Sequence, residues 1–368
     1  MNVYQTKQEP LRVDHERITR LVQALFQAAG LNEERAESVA RLLVMTDMIG
    51  RPTHGLTQTK AYLDALAAGT MGKDENIEVV RDTGSTMVWD GNYLPGLWLV
   101  EKAIETAVQR IHQHGVVTVA IRKSHHICCL ASLIKQAVDQ GYFVTLASSG
   151  PHGKYAAPFG GTRSLLSPNP IAWGIPARRD PILVDMTATI TTVSMTREKA
   201  KAGQLFDHPW LIDHKGQPTR DPRVMEMSDP PGSMMWLGGM ESGHKGFGLA
   251  LMVDALTQAL CGHGRKDAPT RWGAGVFLQL MDPAAFAGRD AFCDQVDHLI
   301  DACHNNPPTN PEAPVRLPGE LVNRRISESR ANGVPLSIQT LEQLQQAAKT
   351  LGVPDNEPEM TVYGNNPA

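Results

Sequence analysis

The chain lacks the features that would assign it quickly to a class. Its 368 residues contain five cysteines and no Cys-x-x-Cys pair, so neither a disulfide framework nor a zinc ribbon is indicated. Cys128 and Cys129 are adjacent, which strains a mutual disulfide and makes buried free thiols the expectation. No stretch approaches the roughly 20 apolar residues needed to span a bilayer. Charge of one sign is not in excess either. The formal net charge is −4, which predicts neither a nucleic-acid partner nor a membrane surface. Aromatics make up only 5% of the chain, whereas glycine and proline are plentiful. That balance suits a loop-rich α/β or α+β enzyme better than a helical bundle. The opening residues are polar with no apolar signal core, so the expected location is cytoplasmic. There is no internal repeat and no low-complexity tract.

Hydrophobic periodicity supplies the elements. Ile18, Leu21, Val22, Leu25 and Phe26 fall at helical spacing over 14–28. Asn32 can cap a second helix that buries Ala36, Val39, Ala40, Leu43 and Val44. A short helix is expected at 58–68 and a long one at 97–114, with Gly115 at its C-terminal turn. Val116–Arg122 is a β-branched run and reads as a strand; a helix at 129–140 and a strand at 142–148 complete a β-α-β pattern. Further strands are expected at 165–175, 181–186 and 273–280, and helices at 246–261, 286–304, 320–331 and 338–350. The stretch 204–240 is rich in proline, glycine and methionine and reads as loop with short elements.

Two segments carry most of the chemistry. The first is Arg51-Pro52-Thr53-His54-Gly55-Leu56, the second Ser124-His125-His126-Ile127-Cys128. Imidazole titrates closest to neutrality among side chains and is the commonest general acid or base. His54 lies in a polar, turn-prone context that favours an accessible ring. His125 and His126 follow a strand directly, where α/β proteins often place reactive groups; one could face a pocket while the other caps the next helix. No metal is expected, because His298, Cys303 and His304 match no standard ligand spacing. Pro158-Phe159-Gly160-Gly161 reads as a turn, and Asn169-Pro170 places an amide in extended backbone. Gly243-His244-Lys245-Gly246-Phe247-Gly248 precedes an apolar run, and a helix start with a lysine suits an anion such as a pyrophosphate. It is not a Walker A loop, and no Gly-x-Gly-x-x-Gly turn follows the strand at 116–122.

Taken in order, these segments resemble the type 2 malate/L-lactate dehydrogenase family. That family includes sulfolactate, ureidoglycolate and diketogulonate enzymes and reductases of cyclic imino acids. Its Ser-His-Gly-Val-x-Arg is similar to Thr53–Gln58, and its Asn/Ser-x-His-Phe-Gly to Ser124–Cys128. Pro158–Gly161, Ser167–Pro170, Asp185–Thr189, Lys245–Leu249 and Pro318-Gly319-Glu320 match its later motifs. The resemblance implies a mixed α/β fold with a largely antiparallel, non-Rossmann nicotinamide-binding domain and helical N- and C-terminal segments. It implies three regions: 1–70, with the first motif; 71–118 together with 306–368; and 119–305, which binds the cofactor. It implies a homodimer with active sites near the subunit interface, and NAD or NADP as cofactor. The carried-over cofactor contacts are Ser149, Asp185, Met186, Thr187, Ala188, Thr189, His244, Lys245, Gly319 and Glu320.

The expected activity is hydride transfer between nicotinamide and a 2-hydroxy/2-oxo acid or a related compound. His54 is the first choice for moving the proton and His126 the second. Thr53, Gln58 and Arg51 are the substrate-binding candidates. Cyclic imino acids are the runner-up substrates, and a dinucleotide-binding paralogue without turnover is the rival from another class. Two departures bear on substrate choice. Gln58 stands where the family has an arginine able to pair bidentately with a carboxylate. Cys128 stands where it has glycine.

Overall fold

The computed structural model describes residues 11–226 and 229–354. The chain forms two compact units, Met1–Gly69 with Leu321–Ala368, and Thr70–Glu320.

The first unit is mainly helical. Asp14 accepts from the Arg17 N–H and starts helix His15–Ala28. Asn32 accepts from the Arg35 N–H at 2.9 Å and starts helix Glu33–Met48, as its sequence position predicts. Ile18, Val22, Leu25 and Phe26 on the first helix are buried, as are Ala36, Val39, Ala40, Leu43 and Val44 on the second. Each large apolar side chain enclosed this way contributes about 1.5–3 kcal/mol. Helix Ile338–Leu351 adds buried Leu341, Leu344 and Ala348. Leu11–Val13 pairs antiparallel with Val334–Leu336, so a strand pair too short to show periodicity ties together two distant parts of the sequence.

The second unit is built on a seven-stranded sheet. Its spatial order is Glu78–Asp82, Thr86–Asp90, Val116–Ser124, Ala274–Met281, Phe143–Ser149, Ile171–Ile175 and Ile182–Met186. Only Thr86–Asp90 and Val116–Ser124 run parallel as neighbours; the other adjacent pairs are antiparallel. Residues 71–118 belong to this same unit, and strand Val116–Ser124 runs through position 118. The β-α-β reading is modified in one respect. Val116–Ser124 and Phe143–Ser149 flank helix Leu130–Val138 in sequence, but Ala274–Met281 lies between them and pairs with both. The residues expected to be strand from 165 to 170 lie outside the strand, which starts at Ile171.

Helix Gly239–Asp254 also differs from expectation. The sequence places the helix start at 246, but the helix begins at Gly239 and carries Gly243–Gly248 inside it. One glycine there, Gly246, answers to crowding. A Cβ at Gly246 would lie 2.5 Å from the Leu237 N and 2.8 Å from the Ala188 O. The helix continues as a π turn over Ala255–Ala259. The 204–240 stretch holds a small sheet of Leu211–Ile212, Pro218–Thr219 and Ser233–Met234. Phe206, Leu211, Met234 and Trp236 pack there with Ala188 and Ala250. Among the described residues, no helix is long and apolar enough to cross a membrane.

Candidate active site

The first histidine segment forms two successive 3-10 turns, Pro52–His54 and Leu56–Gln58. Proline sets the entry to the first turn. His54 is half-buried, and its Nδ1 lies 2.9 Å from the Thr53 hydroxyl. The Gln58 amide is turned inward and donates to the Thr53 carbonyl at 2.8 Å. Arg51 is exposed. Behind the segment stands a residue that sequence reasoning passed over. Asp47, 3% exposed, accepts from the Leu56 N–H at 2.6 Å. Burial pushes its carboxyl up to about 7, against the opposing pull of that Leu56 bond. A Cβ on Gly55 would lie 2.6 Å from Asp47 Cγ and closer still to Oδ2. The signal was available. Asp47 falls four residues after Leu43, on the apolar face of its helix, where an unpaired carboxylate is out of place.

The second segment lies in the other unit and separates its two histidines by environment. His125 is fully buried, edge-on to Trp272 with centroids 4.7 Å apart. Burial, then the charges of Arg271 and His152, lowers its pKa to about 3, so it is neutral across the working range. His126 is half-buried and stacks on Trp272 at 5.1 Å and 29°. His126 is therefore the member of the pair suited to proton transfer. Neither histidine caps the next helix, contrary to expectation. That place is taken by Asp185, whose Oδ2 accepts from the Ala131 N–H at 2.9 Å and from the Cys129 thiol at 3.3 Å. Helix Gly96–His114 seats the segment from behind, since a Cβ on Gly96 would lie 2.6 Å from the His126 carbonyl.

The residues expected to touch cofactor in this unit gather along connected elements. Asp185 joins the His126 loop to strand Ile182–Met186. Met186 packs against Phe277, Val253 and Ile171. Thr187 is half-buried and donates to the Thr189 carbonyl at 2.9 Å, while Ala188 packs under Gly246. His244 and Lys245 are exposed in the second turn of their helix. Lys245 therefore does not sit at free helix-start N–H groups, and the first turn carries Glu241, which disfavours an anion there. Gly319 lies against the Leu183 backbone, whose N–H donates to the Pro318 carbonyl at 3.0 Å. Glu320 contacts the His304 ring.

Ser149 is enclosed at 1% exposure. Its hydroxyl receives the Gln258 amide at 2.7 Å and meets the Thr257 hydroxyl at 2.6 Å, and that hydroxyl donates to the Val253 carbonyl. The side chain thus pins a strand end to the π turn. Sequence reading missed Thr257 and Gln258 because a π turn has no periodic signature.

A family model described as malate/L-lactate dehydrogenase matches residues 13–345. The chain belongs to the malate/L-lactate dehydrogenase family. It is 28% identical over 351 residues to L-sulfolactate dehydrogenase of Methanothermobacter thermautotrophicus, covering 93% of this chain and 98% of that one. The sulfolactate dehydrogenase structure from Methanocaldococcus jannaschii superposes with a TM-score of 0.81 at 25% identity, over 93% of this chain and 98% of that one. Delta1-piperideine-2-carboxylate reductase from Pseudomonas syringae pvar. tomato shares the fold, with a TM-score of 0.80 at 24% identity over 92% and 99% of the two chains. The protein is thus an oxidoreductase by family.

Family membership gives the two departures structural meaning. Cys128 adopts φ 55°, the left-handed region that glycine enters without strain. Its thiol lies 3.9 Å from His126 Nδ1, so the substitution adds both strain and bulk beside the second histidine. Gln58 is held within its own segment by the Thr53 carbonyl, which engages the amide that would otherwise stand in for a guanidinium.

Proposed function

We propose that the protein is a NAD(P)-dependent dehydrogenase/reductase of 2-hydroxy/2-oxo acids. The observation that carries the reading is the His126 site: a half-buried imidazole stacked on Trp272, in a loop tied by Asp185 to the start of the Asp185–Thr189 stretch, within a chain of this family. The residues present fit a nicotinamide dinucleotide in chemistry. Lys245 and His244 offer exposed cationic or hydrogen-bonding groups for phosphate, Thr187 a hydroxyl, and Gly246 a close-packed backbone under Ala188. Asp185, Met186, Ala188, Thr189, Gly319 and Glu320 shape the wall around them, and Ser149 supports it from inside. When bound, the nicotinamide supplies or accepts the hydride.

The chain's own residues do the rest. A histidine holds the proton that the substrate oxygen takes or loses. His54 is assigned first, with Thr53 orienting its ring through the 2.9 Å contact, and His126 second. Thr53, Gln58 and Arg51 line the substrate approach in the first unit. The sheet is proposed to bind the dinucleotide without a Rossmann crossover, in keeping with its mostly antiparallel strands and the absence of a Gly-x-Gly-x-x-Gly turn. A homodimer is proposed as well, supported by Leu251, Met252 and Leu260 exposed at 49, 44 and 55% along one helix and its π turn. Free cysteines suit a reducing, cytoplasmic setting.

The test is a panel of 2-oxo acids and cyclic imines with NADH and NADPH in parallel, read by loss of nicotinamide absorbance. Oxidation with a 2-oxo acid supports the reading. Oxidation only with cyclic imines moves the activity to C=N reduction, and cofactor binding without oxidation by any member leaves a dinucleotide-binding protein.

A further inference from the structure

Between helix Val193–Lys201 and the 3-10 turn Pro222–Met225 lies a cavity that the reaction described above does not use. It encloses about 500 Å³, counting its solvent-open mouth, a size at which small-molecule sites are built. Its walls are fixed without a ligand. Thr192 caps the helix by accepting from the Met195 N–H at 3.2 Å, and Asp221 caps the turn by accepting from the Arg223 N–H at 2.9 Å. The remaining wall is the Lys154-Tyr155 segment. The Tyr155 N–H donates to the Leu166 carbonyl at 2.8 Å, and the Tyr155 carbonyl accepts from the Met234 N–H at 2.9 Å. Just before it, the Arg265 guanidinium donates to the Gly153 carbonyl at 2.9 Å.

The lining divides by chemistry. Val193, Pro222, Met225 and Met234 form an apolar floor. Val193 and Met225 also pack on the cluster around Phe206, Leu211 and Met234, so a hydrocarbon group seated there extends an existing core. The charged groups Lys154, Arg197 and Glu226 are exposed at the rim. Arg197 Nε meets Glu226 Oε1 at 2.7 Å and bridges the helix to the turn, so these two charges offset one another. The Lys154 ammonium makes no ion pair or hydrogen bond among the described residues. Two cations against one carboxylate leave the rim with a single positive charge, beside an apolar floor.

We propose that this cavity is a binding site for an amphipathic monocarboxylate, whose carboxylate meets Lys154 and whose hydrocarbon part covers Val193, Met225 and Met234. A charge-assisted bond to the ammonium holds one end, and burial of apolar surface holds the other. The rim discriminates by charge. A dianion would bring its second charge against Glu226, and an ammonium compound would have to displace Arg197 from that carboxylate. A neutral molecule would leave Lys154 unused. The site does not depend on the 2-oxo acid reading, since it needs neither hydride nor proton transfer.

The experiment titrates hexanoate into the full-length protein by calorimetry, with acetate and hexan-1-ol as controls that each lack one end. The parent should bind hexanoate with Kd of about 1 mM or tighter, and either control about tenfold or more weakly. Lys154→Ala should weaken hexanoate about 3- to 10-fold, and Lys154→Glu should weaken it further. Ala200→Phe, which fills the cavity from the helix side, should abolish binding. Circular dichroism and thermal midpoints control for folding, and if Ala200→Phe does not fold the two lysine variants decide. Equal affinity for hexanoate and hexan-1-ol, or parental affinity in both lysine variants, overturns the proposal. Hexanoate binding that survives in folded Ala200→Phe lies elsewhere on the protein and overturns it too, as does no binding by the parent. All of these outcomes leave the dehydrogenase reading as it stands.

Discussion

Gly55→Ala tests the coupling between the first histidine segment and the helix behind it. Gly55 has φ −97°, outside the left-handed region, so glycine is required here for space. An alanine methyl would lie 2.6 Å from Asp47 Cγ, closer still to Oδ2, and 3.1 Å from the Asp47 backbone N. The carboxyl cannot yield freely, because it is buried and holds the Leu56 N–H at 2.6 Å. Either the methyl is forced into the packing, at about 1–3 kcal/mol, or the carboxyl swings away and loses a charge-assisted bond worth about 1.5–3 kcal/mol. The cheaper response sets the cost, about 1–3 kcal/mol, a sizeable share of an ordinary domain's stability of about 5–15 kcal/mol. Asp47→Ala removes the two shortest contacts and leaves only the one at 3.1 Å. In that background Gly55→Ala should cost about 1 kcal/mol or less, so the two substitutions should be non-additive by about 1–2 kcal/mol in the compensating direction. Urea denaturation at pH 8, followed by helical circular dichroism, measures all four proteins. All six tryptophans lie in Thr70–Glu320, so tryptophan fluorescence follows that unit separately. Additive losses would show that Asp47 and Gly55 do not press on one another, and the clamp behind His54 would then be discarded.

His54→Ala should lower kcat by about 10²–10⁴ if His54 relays the proton, with NAD(P)H affinity unchanged; near-normal turnover in the folded variant would transfer the role to His126. Lys245→Ala should weaken NAD(P)H binding about tenfold or more, measured by fluorescence titration, and unchanged affinity would leave Lys245 as an exposed helix residue only. Cys128→Gly should relieve about 1–2 kcal/mol of left-handed strain, offset in part by lost packing and by chain entropy, so thermal midpoints should stay close while bulkier 2-oxo acids gain in kcat/KM; a midpoint lowered by many degrees would show that the thiol is needed for packing. For Asp47 the folded pKa of about 7 lies above the ordinary 3.8, so the folded state binds the extra proton and stability should fall as pH rises from about 4 to 7. Asp47→Asn should flatten that slope, and an unchanged slope in denaturation midpoints would assign it elsewhere. His125 acts in the opposite sense: its pKa of about 3 lies below 6.5, so its neutral, buried form adds stability above pH 6.5 that is lost as pH falls towards 3.

Much of the scaffold was legible because the rules that write it are periodic. The Asn32 cap, the Gly115 helix end and the β-branched run at 116–122 each appear where the pattern places them. What escaped has no period. Strand Glu78–Asp82 is exposed along its whole length at the sheet edge, so no apolar alternation marks it. The helix start at Gly239 was hidden by glycines, which read as breakers in sequence, although Gly246 serves close packing against Ala188 and Leu237 in space. The insertion of Ala274–Met281 between two strands of a β-α-β pattern is a long-range pairing that local sequence does not encode.

The candidate site was legible as residue types, but its geometry was not. Histidine segments announce themselves by composition; what tunes them sits elsewhere in the chain. Asp47 reaches Leu56 from the preceding helix, Asp185 reaches Ala131 across 54 positions, and Trp272, just before strand Ala274–Met281, lies against His126. Local rules are broken at these same places. Cys128 and Lys123 hold positive φ, His125 is a fully buried imidazole, and a helix widens into a π turn beside Ser149. A sequence free to choose would avoid each of these, and such violations concentrate where structure is held for chemistry. Position 58 belongs to the same argument. The segment that ends at Gln58 has turned its amide onto its own backbone. An amide held by its own segment no longer offers the charge or the rigid fork that a guanidinium would bring to a carboxylate, so position 58 joins the places where the chain breaks a local expectation beside a histidine.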